Sequence, residues 1–203
     1  MAALEVISAE GAEAMTLRRL AQRLGVGTAT LYWYIRDKEE LIELVRDQLA
    51  AEILAICPRE GDWRTRLVAF ARAFRTVQAR HPGPVLWAGG PVTGPNALAV
   101  IDGLLGAFVD SGLPDRDATE ACTAFLGLVT SANRWLTAAG AGDEAASQRA
   151  RAHTGAYLSQ LSCDALPNVR RIGEFFLDVT PEARFRLLLS SFLEGIERRV
   201  QSA

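Results

Sequence analysis

The chain has 203 residues, 49% of them hydrophobic and 23% charged, enough for one sizeable core or for a small domain beside a larger one. Its 22 basic and 24 acidic side chains leave a net charge of −2, which excludes a coat of positive charge for general nucleic-acid binding but not a local basic patch. Three widely spaced cysteines (Cys57, Cys122, Cys163), none in a CxxC pair, argue against a disulfide scaffold or zinc ribbon and for a reducing compartment. Only His81 and His153 offer imidazole ligands, so no metal or cofactor is expected. No run approaches the ~18 apolar residues of a membrane span, and no basic leader opens the chain. A cytoplasmic protein is expected.

Apolar residues recur at helical spacing almost throughout, and alternating strand patterns are absent, so the fold class predicted is all-α. In chain order, Leu17, Leu20, Ala21 and Leu24 form the inner face of a short helix with Thr16 as its N-cap. Gly25-Val26-Gly27 breaks it, with Val26 expected inside the turn. A second short helix runs from Thr28 to Ile35, with Leu31 and Ile35 on one face. A longer helix spans about Lys38 to Ile56, its stripe being Leu41, Leu44, Val45 and Leu49. Asp62 caps a helix to about Arg80 with Leu67, Phe70, Phe74 and Val77 inside. Further stripes follow at Leu98, Ile101, Leu105, Phe108 and Val109, and then at Ala121, Phe125, Leu128, Val129 and Ala132. Ala138 to Ser147 is weakly periodic and is expected to be a loop or a frayed helix start. Thr180-Pro181-Glu182 opens the last helix, with Phe185, Leu188, Leu189, Phe192 and Ile196 inside.

The two short helices joined by a glycine-bearing turn match a helix-turn-helix. Tyr32, Trp33 and Tyr34 are consecutive and span about 200° of a helix, so a face already holding Leu31 and Ile35 cannot bury all three. At least one large aromatic must face outward beside Thr28, Ala29 and Thr30, and one of the two tyrosines is expected to turn partly inward. A DNA-recognition helix presents its N-terminal residues in this way. Threonine hydroxyls and methyls suit base edges, and the aromatic O–H and N–H groups suit phosphates. From Ala14 to Lys38 there are five basic residues (Arg18, Arg19, Arg23, Arg36, Lys38) and one acid, Asp37, placing positive charge at this motif.

The stretch LRRLAQRLGVGTATLYWYIRDKEELI closely resembles the DNA-binding domain of the tetracycline-repressor (TetR) family of bacterial transcriptional regulators. More weakly, Trp63, residues 70–75, His81-Pro82 and the Gly-Leu-Pro at 112–114 resemble the C-terminal domain of the tetracycline-repressor subgroup. The resemblance implies a helix-turn-helix DNA-binding domain over residues 1–46 and a larger helical ligand-binding and dimerisation domain over 47–203. It implies a homodimeric repressor on double-stranded, palindromic operator DNA, released by a small-molecule effector. It places Leu17, Arg18, Thr28, Ala29, Thr30, Tyr32, Trp33, Tyr34 and Lys38 at the DNA. Helices near Asp115–Ala138 and Pro181–Val200 would form the dimer interface.

Two departures from the family stand out. The first helix, Ala2 to about Ala9, is shorter than family members carry and relies on Leu4 and Ile7 for its packing. An alternative function follows from it: a small-molecule-binding helical protein that has lost DNA binding. Where tetracycline repressors place a histidine and an asparagine on their drug, this sequence has Glu52 and Phe70, so tetracycline is not the expected effector.

Phe70, Phe74, Trp87, Phe108, Phe125 and Asn133 are the candidate ligand-lining residues, with plain core as the competing reading for each aromatic. Trp33 has a core role as its competing reading, and Arg19 and Arg23 have solvated surface. The cysteines read as apolar fillers, with Cys57, two residues from Arg59, the only one hinting at a lowered thiol pKa. No GxSxG, HExxH or phosphate-cradling glycine loop is present, so an enzyme is not expected.

Overall fold

The structure, a computed structural model, describes residues 3–5, 7, 15–81, 93–138, 144–160 and 166–202. Among these the fold is all-α. The helices are α1 (Leu17–Leu24), α2 (Thr28–Tyr32), α3 (Lys38–Ile56), α4 (Trp63–Arg80), α5 (Pro95–Asp110), α6 (Asp115–Ala138), α7 (Glu144–Ser159), α8 (Pro167–Leu177) and α9 (Pro181–Ser202). Residues 3–5 and 7 are also helical, with Leu4 and Ile7 buried as their spacing predicts.

The helix starts follow from their caps. Side-chain oxygens of Thr16, Asp37, Asp62 and Thr180 accept the backbone N–H three residues on, at 3.2, 2.8, 2.7 and 3.1 Å. At the end of α1, Gly25 takes φ 67°, a left-handed conformation that costs other residues a Cβ clash. The Val26 N–H then closes on the Ala21 carbonyl at 3.0 Å. The Val26 side chain lies outside the turn, because this backbone bond, not an apolar plug, closes it.

The chain forms two compact units, residues 1–130 with 193–203, and residues 131–192. The boundary expected after residue 46 falls inside the continuous helix α3. In the first unit, α3, α4 and α5 pack on one another. Four rings join into one cluster. Phe70 lies 6.0 Å from Phe74 and 6.0 Å from Phe125, and Phe108 meets Phe125 edge-on at 5.8 Å. In the second unit, α7 packs on α8.

Several residues assigned to inner faces lie outside: Leu24, Leu44, Leu98, Val109 and Leu188 are exposed. On α5 the inner face is Leu104, Ala107 and Phe108. That helix is apolar nearly all round, so its sequence does not single out one stripe. Of the stretch expected to be a loop or a frayed helix start, Ala138 ends α6 and Glu144 to Ser147 begin α7, in line with the helix-start alternative. Residues 139–143 lie outside the described residues.

Candidate nucleic-acid interface and ligand cavity

The helix-turn-helix turns three consecutive aromatic side chains outward. Leu31 and Ile35 take both inward places. Tyr32, Trp33 and Tyr34 are 56%, 88% and 78% exposed, so none of the three faces inward, contrary to the expectation for the tyrosines. The reason is local: α2 stops at Tyr32. The next residues form turns, with the Trp33 N–H on the Thr30 carbonyl and the Tyr34 N–H on the Leu31 carbonyl. Ala29 and Thr30 are exposed beside them, Thr28 partly so, and Arg18 and Arg19 are exposed on α1.

Leu17 differs from the rest of that set. Its side chain is 7% exposed and belongs to the core. Only its backbone N–H, at the first position of α1, is suited to a phosphate. The charge is also partly spent within the protein. Arg23 binds Glu5 at 2.9 Å, and the Arg36 Nε binds Glu40 at 3.1 Å. The Arg36 N–H donates to the same Glu40 oxygen at 2.7 Å, holding that carboxyl below its ordinary range. With Asp37 as N-cap, this reciprocal pair fixes the start of α3, where half-buried Lys38 is the first residue.

Farther along, α3 is tied to α5. Asp47 Oδ1 accepts the N–H groups of Asn96 and Ala97, each at 2.9 Å, and its Oδ2 accepts Asn96 Nδ2 at 2.8 Å. Thr93 Oγ1 donates to Glu43 at 2.9 Å. The N-cap of α5 is Gly94, which has no side chain to cap with, so Asp47 supplies the cap from a different helix. Glycine is required there: a Cβ would stand 2.0 Å from Asp47 Oδ1. Near the other end of α3, Glu52 Oε2 lies 3.1 Å from His81 Nε2, so His81 both terminates α4 and holds it to α3.

A cavity of about 290 Å³ opens where the C-terminal end of α3 meets α4 and α5. It is lined by Leu54, Cys57, Pro58, Arg59, Arg66, Phe70, Asp102, Leu104 and neighbouring small residues of α5. Of the predicted ligand residues, Phe70 lines it. Phe74, Phe108 and Phe125 do not line this cavity; they are buried in the ring cluster to which Phe70 also belongs. Trp87 and the Asn133 side chain lie outside the described residues. Arg66 and Asp102 were missed, although Arg66 stands one helical turn before Phe70 and so shares its face. Burial pushes the Cys57 thiol up despite nearby Arg59, opposite to the activation its sequence hinted at. Burial likewise pushes the Cys122 thiol up to about 11, as suits an apolar filler.

No helix among the described residues is long and apolar enough to cross a membrane. Residues 1–45 match the family of bacterial regulatory proteins named tetR, and residues 57–200 match the tetracyclin repressor-like C-terminal domain. The chain is 29% identical over 203 residues to the class A tetracycline repressor from transposon 1721 of Escherichia coli, covering 98% of this chain and 88% of that protein. It is 35% identical over 136 residues to the HTH-type transcriptional repressor DrrR1 of Streptomyces coeruleorubidus, covering 66% of this chain and half of that protein. In fold it is similar to the TetR family protein ActR of Streptomyces coelicolor in complex with actinorhodin, with a TM-score of 0.83 at 22% identity, over 98% of this chain and 94% of that one. With a helix-turn-helix at one end and a helical cavity beyond it, the chain belongs to the TetR family of transcriptional regulators.

Proposed function

We propose that the protein is a homodimeric transcriptional repressor that holds a palindromic operator and releases it when a small molecule enters the cavity at α3, α4 and α5. The observation that carries this is the outward set on α2 and the turn after it. Ala29, Thr30, Tyr32, Trp33 and Tyr34 are all exposed, and a globular protein gains nothing by leaving three adjacent large aromatics in water. Thr28, Ala29 and Thr30 meet base edges, while the aromatics, Arg18, Lys38 and the Leu17 backbone meet phosphates. Residues 1–46 act as the DNA-binding part and 47–203 as the ligand-binding and dimerisation part. The helices α6 and α9 pair with their copies, and two-fold symmetry then sets the recognition helices about 34–36 Å apart in successive major grooves.

The effector acts through its difference in affinity for the operator-bound and released forms, about 1.4 kcal/mol per tenfold loss of operator affinity. The class A tetracycline repressor, similar over nearly the whole chain, supports a ligand-responsive regulator of this design rather than an enzyme.

The test is selection from random double-stranded DNA at moderate salt, followed by sequencing. One palindrome should be enriched and bound at roughly 10⁻⁸ to 10⁻¹¹ M. Lys38→Ala should weaken all sequences alike and lower the salt slope by about one unit, whereas Thr30→Val should alter preference at one operator position. No enrichment, with small molecules still bound, would favour a ligand-binding protein without DNA binding.

A further inference from the structure

We infer that the cavity selects a compact, planar organic acid, with Arg66 as the group that recognises its anionic end. This deepens the proposed function and rests on its ligand-responsive reading. The body of the cavity is apolar: Leu54 at the end of α3, Phe70 on α4, and Leu104 and Ala107 on α5. Its volume of about 290 Å³ sits at the lower end of the roughly 300–1,000 Å³ typical of small-molecule sites, the space a one- or two-ring molecule fills.

The charged groups on its wall are two cations, Arg59 and Arg66, and one anion, Asp102. Arg59 and Asp102 are exposed at the rim, whereas the Arg66 side chain is only 21% exposed. The guanidinium of Arg66 is oriented through Nη2 by Asp110 at the end of α5. Its Nε is buried without a hydrogen-bond partner among the described residues, so the donors left for a ligand are the Nη groups that Asp110 does not take up. A guanidinium has only donors to offer, so the group that completes it must be an acceptor, and a carboxylate oxygen makes the strongest such bond. A ligand carrying a cation would find only Asp102, exposed at the rim, as an anion on the cavity wall.

The test is calorimetry on the full chain with two probes of nearly equal shape, 2-naphthoate and 2-naphthamide. The acid should bind about tenfold or more tighter than the amide, the size expected of a hydrogen bond to a charged partner. Arg66→Gln should bring the two within about threefold, Arg66→Lys should keep part of the preference, and Asp102→Asn at the exposed rim should increase it. Melting curves confirm that each variant folds.

Equal binding of acid and amide, a preference that survives Arg66→Gln, or no binding of either probe at millimolar concentration would each overturn the assignment. Adding the selected operator separates the two readings. An Arg66-dependent acid preference without operator release would keep the cavity's selectivity and refute ligand-driven release. Release caused equally by the amide would refute the selectivity alone.

Discussion

Replacing Asp47 by alanine removes the only side chain among the described residues that caps α5 and the bond that holds Asn96 to α3. A lost N-cap costs about 0.5–2 kcal/mol. The negative charge at a helix N-terminus adds about 0.3–1 kcal/mol. The Asn96 Nδ2 bond, made to a charged acceptor and partly shielded from water, adds about 1 kcal/mol more. Asp47→Ala should therefore cost about 2–4 kcal/mol, and Asp47→Asn, which keeps an acceptor without the charge, about half of that.

Calorimetric melting reads the loss as a fall of roughly 4–15 °C for a chain of this size. Gly94→Ala drives a Cβ into the same carboxylate and should cost nearly as much. In an Asp47→Gly background, which also removes the Cβ that would crowd residue 94, the obstruction is gone, so Gly94→Ala should then cost under about 1 kcal/mol, a coupling the double-mutant cycle measures. Additive costs, or a loss below about 0.5 kcal/mol for Asp47→Ala alone, would refute the claim that one carboxylate organises this junction.

Trp33→Ala and Tyr34→Ala should leave stability within about 0.5 kcal/mol, since both rings stand in water, yet lower operator affinity about tenfold; a large drop in melting temperature would instead mean that they pack. Phe125→Ala, at the centre of the ring cluster, should cost about 3–5 kcal/mol in chemical denaturation, and a loss under about 1.5 would contradict the packing described. The Asp62 carboxyl is held below its ordinary value by the Thr65 N–H. Its contribution is thus present above the unfolded value near 3.8 and lost as pH falls through the lower folded value. Wild type minus Asp62→Asn stability should shrink over that acid interval, and a difference independent of pH would remove Asp62 from the cap.

What was legible in advance was local. The span of α3, the caps at Thr16, Asp62 and Thr180, and the turn at Gly25 each depend on residues within a few positions of one another. The outward aromatics were legible as a crowding problem, but that all three would be exposed depended on α2 stopping at Tyr32. The face of α5 was not legible, because a helix apolar all round can bury any side and only its neighbours decide. Likewise nothing in the sequence marks Asp47; its role appears only when the backbone amides of Asn96 and Ala97, 49 and 50 residues away, are brought to it beside Gly94. In the cavity, aromatic spacing found Phe70 but could not separate it from Phe74, which faces the ring cluster.

The Asp47 attachment also sets the mechanics of α3. At 1.5 Å per residue, Lys38 lies about 14 Å to one side of Asp47 and Leu54 about 10 Å to the other. A rigid rod pivoting at Asp47 is therefore a lever of nearly equal arms, moving its Lys38 end only about 1.3 times as far as its cavity end. Such a lever does not amplify. To shift the Lys38 end by 3 Å, a distance comparable to one hydrogen bond, the cavity wall at Leu54 must yield by roughly 2 Å, more than the width of a carbon–carbon bond. Ligands that fit without pushing would be bound and go unread, so binding strength and signalling strength should rank a series of compounds differently.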